Sequence, residues 1–224
     1  MRSRRFCAPG RTSPRPTRPC SRTCSSPVCR FFGAPDPQTD VNKAALARLA
    51  TEVRDEIGLT PSEPFDVPRW SALWGVPVLS LAQATDDPVA LRRFTVEAPH
   101  LWSAALLREG EGHVILYNHV HSPPRILSDL THEIAHILGE HRLNGSWMDQ
   151  KGKCGASSEH EREAAELGGA LLIPAAAARS HAIRGGAPSG LAMQYGVSEE
   201  MAVWRMRESG GTVIRLRRLA KRRA

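Results

Sequence analysis

Hydrophobic residues recur at helical spacing in three long stretches of the chain. The first is "KAALARLATEVRDEIGL", and Gly58 near its end is a typical helix stop. The second is "SPPRILSDLTHEIAHILGEH", where Ser122 followed by two prolines marks a helix N-terminus. The third is "SEHEREAAELGGALLIP", which Pro174 terminates. These patterns predict three helices that each turn an apolar face toward a common core.

Shorter apolar runs predict a small sheet. "DVPRWSALWGVPVLSL" is typical of a short helix, a turn at Gly75 and a strand that contains Val76, Val78 and Leu79. "LWSAALL" and "GHVILYN" flank the turn "REGEG" and therefore predict a β-hairpin. Further along, "LAMQYGVSEEMAVWRMRES" predicts two short helices around a glycine turn. A few strands followed by helices indicate an α+β fold.

The first 40 residues follow neither pattern. They contain seven Pro and eight Arg, a composition that buries too little apolar surface to fold. They lack the continuous apolar segment of a secretory signal, and no apolar run in the chain is long enough to span a membrane. We therefore predict a disordered leader and a cytoplasmic protein. The cysteines of this leader lack the C-x-x-C spacing of a zinc knuckle, so we expect free thiols at Cys7, Cys20, Cys24 and Cys29.

The net charge of +7 is concentrated at the two ends of the chain. Residues 1–40 and residues 212–224 each carry a net charge of +6, so residues 41–211 net −5. Basic ends attract phosphates without reading sequence, and we expect weak contact with nucleic acid at most. We divide the chain into the leader (1–40), a folded domain (41–178), a helical module (179–211) and a basic tail (212–224).

The second predicted helix carries the pattern H-E-x-x-H within "LTHEIAHILGEH". His132 and His136 lie one helical turn apart, so both imidazoles project from the same face and can reach one metal ion. Glu133 lies about 100° around the helix, where it cannot join them as a ligand but can take a proton from an attacking water. This composition produces the pattern by chance about 0.02 times per chain. We therefore predict a zinc site with Glu133 as the general base.

A catalytic zinc ion needs a third protein ligand and one open position. The metzincin spacing would require a histidine where the chain has Arg142, and His141 falls one residue short. A glutamate from the following helix is the other common solution. Glu161 heads a helix face of small and apolar residues, where a buried carboxylate needs a partner. We predict Glu161 as the third ligand, with Glu163 as the fallback.

The remaining glutamates of this helix fall on the opposite face, as a solvated acidic stripe would. They are Glu159, Glu163 and Glu166. The face that Glu161 heads continues through Ala165, Gly168 and Leu172. Such small side chains let this helix approach another helix closely.

These segments resemble the ImmA/IrrE family of metallopeptidases. The resemblance rests on the strand and asparagine of "VILYN", on "RILSDLTHEIAHIL", on "EREAAELGGALLIP" and on the closing "YGVSEEMAVWRMRESG". It extends from about Leu46 to Gly210. Ala165 stands where the family often has Asn or Asp, and Leu167-Gly168-Gly169 replaces the commoner Phe-Ala-Ala. Neither departure removes a predicted ligand.

The resemblance implies a zincin-like α+β domain in which His132, His136 and Glu161 bind zinc and Glu133 is the general base. It also implies endopeptidase cleavage of a helix-turn-helix transcriptional repressor, in a setting of transcriptional regulation or stress response. A second electrophile for this reaction stays open among four side chains, which are Tyr117, Arg125, His141 and His160.

The two helices after residue 187 have the spacing of a helix-turn-helix, with Gly196 in the turn and Ser198 as a cap. The second helix begins with Glu199 and Glu200, whereas DNA-reading helices present basic or amide side chains there. We therefore predict that this module packs against the domain or docks the substrate. The alternative function is that of a DNA-binding regulatory protein whose zinc site is structural or vestigial, and a closed four-ligand site would favour it.

Overall fold

A computed structural model describes residues 42–141 and 158–223 of the chain. The predicted leader and nearly all of the loop that connects the second and third predicted helices lie outside these residues. In chain order, the helices and strands are α1 (Lys43–Glu56), α2 (Val67–Trp74), β1 (Val78–Ser80), α3 (Leu81–Ala84), α4 (Pro88–Arg92), β2 (Ala104–Glu109), β3 (Gly112–Tyr117), α5 (Pro123–Leu138), α6 (Ser158–Leu172), α7 (Ala175–Arg184), α8 (Pro188–Tyr195), α9 (Glu199–Glu208) and α10 (Gly211–Arg223). Helices and a small sheet in this order confirm the predicted α+β class and are consistent with a zincin-like domain.

The sheet has three strands in the order β1-β3-β2. Strands β2 and β3 form the predicted antiparallel hairpin, with Ala104 opposite Tyr117 and Gly110 in the turn at a φ of +59°. Strand β1 pairs in parallel with β3, with Val78 opposite Ile115. Ile115 is completely buried, because the central strand turns it into the main core. Strand β2 is therefore an edge strand of this sheet.

The first two helices begin and end at residues that the sequence marks. The side chain of Asn42 accepts a hydrogen bond from the Ala45 amide at the start of α1, and Asp66 caps α2 in the same way. After the two helices, Gly58 and Gly75 adopt positive φ values of +70° and +65°. An L-residue is strained in this region, so glycine is the natural residue for both turns.

The sequence patterns predict no helix or strand in the segment between β1 and β2. It forms α3, α4, a π-helical turn and a 3₁₀ turn. Asn118, which is fully buried at the end of β3, donates from Nδ2 to the carbonyl of Phe94 at 2.7 Å. The same amide lies 3.3 Å from the carbonyl of Trp102. One buried side chain thus fastens this irregular segment to the central strand.

Helices α5 and α6 pack against each other through glycine. A Cβ on Gly168 would lie 3.1 Å from the carbonyl oxygen of Thr131 and 3.3 Å from the backbone nitrogen of His132. Both distances are shorter than ordinary van der Waals contact, so a larger side chain would push α6 away from α5. The small-residue face predicted from the sequence therefore allows the close approach of α6 to α5 at Gly168, next to the histidine pair.

Helices α7, α8 and α9 enclose a second apolar core around Leu191, Tyr195 and Ala202. The Ser198 side chain caps α9 by accepting from the Met201 amide at 3.2 Å. Helix α7 runs continuously through position 178, where the sequence placed the end of the folded domain. That this module packs against the domain or docks the substrate, and does not read DNA, stays a prediction.

The sequence predicts a basic tail for residues 212–224, and helix α10 occupies this segment up to Arg223. Its start packs tightly on α7, because a Cβ on Gly211 would lie 2.6 Å from the Arg179 carbonyl oxygen. From Arg215 to Arg222 the helix is exposed. None of the helices among the described residues combines the length and the apolar character needed to cross a membrane.

Candidate metal centre

Helix α5 places two imidazoles side by side. His132 and His136 are four residues apart, and their Nε2 atoms lie only 3.2 Å from each other. The His136 ring is buried, whereas about 29% of the His132 side chain is exposed. The pair therefore has one member in the protein wall and one at its surface, which leaves the site open to solvent on the His132 side.

Helix α6 adds a carboxylate to the pair. Glu161 Oε2 lies 3.2 Å from His132 Nε2, and Glu161 Oε1 lies 3.5 Å from His136 Nε2. These three side chains form the one group among the described residues whose donor atoms could hold a metal ion. The geometry brings Glu161, not the fallback Glu163, to His132 and His136, and its role as a metal ligand stays a prediction.

The spacing of the three donors fits a small tetrahedral ion. Zinc bonds of about 2.0–2.1 Å hold adjacent donor atoms roughly 3.3–3.4 Å apart. The distances between the donors, 3.2, 3.2 and 3.5 Å, lie close to that value. Glu161 Oε1 is buried and accepts no hydrogen bond from the described residues, so it lacks a partner that a cation would supply. Two imidazoles and one carboxylate are also a donor set that catalytic zinc uses.

The electrostatics of the site favour the metal-binding forms of His136 and Glu161, whereas they favour the protonated form of His132. Burial and the neighbouring His132 lower the pKa of His136 to about 4, so its ring is neutral. The hydrogen bond with His132 lowers the pKa of Glu161. Burial lowers the pKa of His132, but the contact with Glu161 and the nearby carboxylates outweigh it and raise the pKa overall. A proton on His132 thus occupies the place that a metal cation would take between it and Glu161.

Glu133 lies beside this group in a different environment. It is 6% exposed, and its Oε2 has no hydrogen-bond partner among the described residues. Burial raises the pKa of Glu133 to about 7, and the charges of Glu161 and Asp129 act in the same direction, whereas His132 opposes them. The backbone N–H of Leu106 on strand β2 also contacts this carboxyl and lowers its pKa. A carboxyl that titrates near neutral pH is suited to proton transfer.

Two of the candidate second electrophiles lie behind the histidine pair. His141 Nδ1 is 2.9 Å from His136 Nδ1, the ring nitrogen that faces away from Glu161. His160 stacks on the His141 ring with a centroid distance of 4.4 Å. His141 Nε2 lies 3.4 Å from the carboxylate of Glu163. This position gives His141 a contact with a candidate ligand and does not place it at the open side of the site.

The other two candidate electrophiles, Tyr117 and Arg125, contact neither histidine of the pair in the described contacts. Tyr117 lines a separate surface cavity of about 610 Å³. Arg125 donates to Ser103 Oγ at 2.7 Å and lies 3.7 Å from the carboxylate of Asp129. The sequence analysis did not identify Asp129 as a site residue. A signal was present, because Asp129 lies three residues before His132 and four before Glu133, which is the spacing of helix neighbours. Burial raises the pKa of Asp129, and its charge acts on both of those side chains.

The predicted acidic stripe on α6 is wrong for two of its three members. Glu166 is 9% exposed and accepts a hydrogen bond from Arg205 Nη1 of α9 at 2.8 Å. Glu163 is half-buried against His141. Glu159 alone is exposed. The single-helix projection failed because it contained no information on which other elements pack against α6.

Comparison with known proteins agrees with this geometry. The chain matches the IrrE N-terminal-like domain over residues 69–207, which is more than half of its length and includes all the donors. A search of curated proteins finds no significant match. The matched region begins in α2 and ends in α9, so α7, α8 and most of α9 are part of the family domain, whereas α10 lies outside the match. The chain therefore belongs to the ImmA/IrrE family, a family of metallopeptidases.

Proposed function

We propose that the protein is a zinc-dependent endopeptidase that cleaves a protein substrate, a helix-turn-helix transcriptional repressor. The observation that carries the proposal is the convergence of His132, His136 and Glu161 beside Glu133, a buried carboxyl whose Oε2 has no hydrogen-bond partner among the described residues. A structural zinc site has four protein ligands, whereas only three donors meet among the described residues. Three ligands with an adjacent base are typical of catalysis.

In this proposal His132, His136 and Glu161 hold the ion. When bound, zinc acts as a Lewis acid and acidifies a coordinated water. The carboxylate of Glu133 accepts the proton of the attacking water at its free oxygen and later transfers it to the leaving amine. Its burial between α5 and β2 keeps bulk water away from this proton. The neutral His136 ring needs no deprotonation before it can serve as a ligand.

The edge strand supports a polypeptide as the substrate. Strand β2 contacts Glu133 through the Leu106 amide, and its outer edge pairs with no other strand of the described residues. An extended peptide segment can add to such an edge through backbone hydrogen bonds. Pairing of this kind would align a scissile peptide bond with the base. The repressor identity rests on family membership alone.

The test separates metal binding from proton transfer in one preparation. The Glu133→Gln variant keeps shape and polarity but cannot act as a base. We expect it to bind zinc in near-stoichiometric amount and to keep the wild-type circular dichroism spectrum. Its rate of cleavage of a co-expressed repressor, encoded by a neighbouring gene, should fall by a factor on the order of 10²–10⁴. The matched control is Glu159→Gln, because Glu159 is an exposed carboxylate on α6.

Two results would count against the proposal. Full cleavage by the Glu133→Gln protein would remove the assigned base. Sequence-specific DNA binding by the wild-type protein, with zinc bound but no cleavage of any repressor, would support the regulatory alternative. Salt dependence of that binding would show whether phosphates alone are contacted.

A further inference from the structure

We propose that His141 is a positioning residue of the metal centre, which accepts a hydrogen bond from His136 Nδ1 and so keeps His136 Nε2 free and aimed at the ion. Glu163 holds His141 from its other side. This inference rests on the metal-binding part of the proposed function and is independent of the substrate.

The contact between the two rings allows two assignments of protons, and metal binding by His136 selects one of them. His136 Nδ1 and His141 Nδ1 are 2.9 Å apart, so one nitrogen must donate and the other must accept. A His136 that binds metal through Nε2 has its proton on Nδ1, and therefore His136 is the donor. His141 Nδ1 is then the acceptor, and the proton of the neutral His141 ring lies on Nε2. That nitrogen lies 3.4 Å from the Glu163 carboxylate, which is an ion-pair distance, although the geometry is not that of a hydrogen bond.

The end of α5 is built so that His141 reaches this place. After Leu138 the chain turns back, and the His141 amide donates to the His136 carbonyl at 3.0 Å. This turn places Glu140 at a φ of +49°, the one non-glycine residue with positive φ among the described residues. Such a conformation is unfavourable for an L-residue. The backbone thus accepts strain in the turn that folds His141 over the helix end.

Space for the His141 ring comes from Gly139. A Cβ at Gly139 would lie 2.5 Å from His141 Nε2, so no other residue fits there without moving the ring. The ring is 7% exposed, and it is held between the helix end and the stacked ring of His160. A side chain fixed in this way can hold the orientation of His136 before the ion arrives. Partners of this kind on a ligand histidine typically change metal affinity about 10–100-fold.

The test uses metal affinity and ring protonation, and neither requires a substrate. In the metal-free wild type, long-range ¹H–¹⁵N spectra should show His136 protonated on Nδ1. The His141→Phe variant keeps the ring volume but removes the acceptor. We expect its His136 to shift toward protonation on Nε2 and its zinc affinity, measured by chelator competition, to fall about 10–100-fold.

A rescue and a control make the result specific. His141→Asn places an amide oxygen near the Nδ1 position, so it should restore the His136 tautomer and most of the affinity. His119→Phe alters an exposed histidine before α5 and should change neither readout. Unchanged affinity and tautomer in His141→Phe would overturn the proposal, and so would a complete loss of bound zinc that Asn fails to restore, because His141 would then be a ligand. Failure of the wild type to bind zinc would instead refute the proposed function, while the tautomer would still test the hydrogen bond.

Discussion

Replacement of Arg54 by methionine tests how the scaffold beneath the metal centre is stabilised. Arg54 lies on α1 with 2% of its surface exposed, and its guanidinium donates to backbone carbonyls instead of a carboxylate. The bonds to Leu171 and Thr60 are 2.7 and 3.0 Å long, and a third goes to the carbonyl of Glu63. Leu171 belongs to the last turn of α6, whose carbonyls have no partner within the helix.

The magnitude follows from these bonds. A hydrogen bond from a charged donor contributes about 1.5–3 kcal/mol, so three of them contribute roughly 5–9 kcal/mol. Burial of the guanidinium costs several kcal/mol, and methionine recovers that cost while it fills the space. We therefore expect Arg54→Met to lower the free energy of unfolding by about 2–4 kcal/mol. In a protein of this size that corresponds to a decrease of roughly 5–15 °C in Tm.

Differential scanning calorimetry of the metal-free proteins measures this change without a contribution from the ion. Arg48→Met is the matched control, since Arg48 is an exposed arginine on the same helix, and we expect its Tm to stay within about 2 °C of the wild type. Arg54→Lys should lie between the two, because one ammonium cannot reach all three carbonyls. A Tm for Arg54→Met that equals the control would refute the reasoning, since the carbonyls would then have other donors.

The other predictions concern the site and its flanking turn. Glu161→Ala should lose bound zinc, whereas Glu163→Gln should keep it in stoichiometric amount, and metal analysis of both purified proteins decides whether the helix-face argument is correct. Glu140→Gly should raise the Tm by about 2–4 °C, because glycine relieves roughly 1 kcal/mol of strain, and an unchanged or lower Tm would contradict the strain. Removal of zinc by a chelator should lower the free energy of unfolding by about 2.7 kcal/mol relative to protein kept at a free zinc concentration of 100 times Kd. A Tm that does not depend on zinc would contradict a site that binds zinc only in the folded state.

Local patterns were enough to predict the elements that position the site. The helical period and the two prolines after Ser122 located α5, and the glycine turn located the hairpin. Two histidines four residues apart share a helix face whatever surrounds them, so their pairing needs no tertiary information. Glu161 was also within reach of the sequence, because small residues such as Gly168 mark the face that packs closest to a neighbouring helix.

Contacts between distant segments were beyond the same reasoning. Arg54 has no local signal that distinguishes it from an exposed arginine such as Arg48, since its partners lie in a loop and at the end of another helix. Asn118 was visible only as a residue after a strand, and its contacts to the irregular segment depend on how that segment folds. The contact of His141 with His136 depends on a backbone turn that sequence propensity disfavours for a glutamate.

The glutamates of α6 show why the site residues differ so much in how well they can be predicted. Three glutamates share this helix and the same side-chain chemistry, namely Glu161, Glu163 and Glu166. Each contacts a different partner, because a different element packs against it. Glu161 faces the middle of α5, Glu163 faces the turn after α5, and Glu166 faces Arg205 of α9. The metal centre depends on the contact between α5 and α6. Helix α9 lies beside that contact as well, because its Met201 and Trp204 line a cavity together with His132.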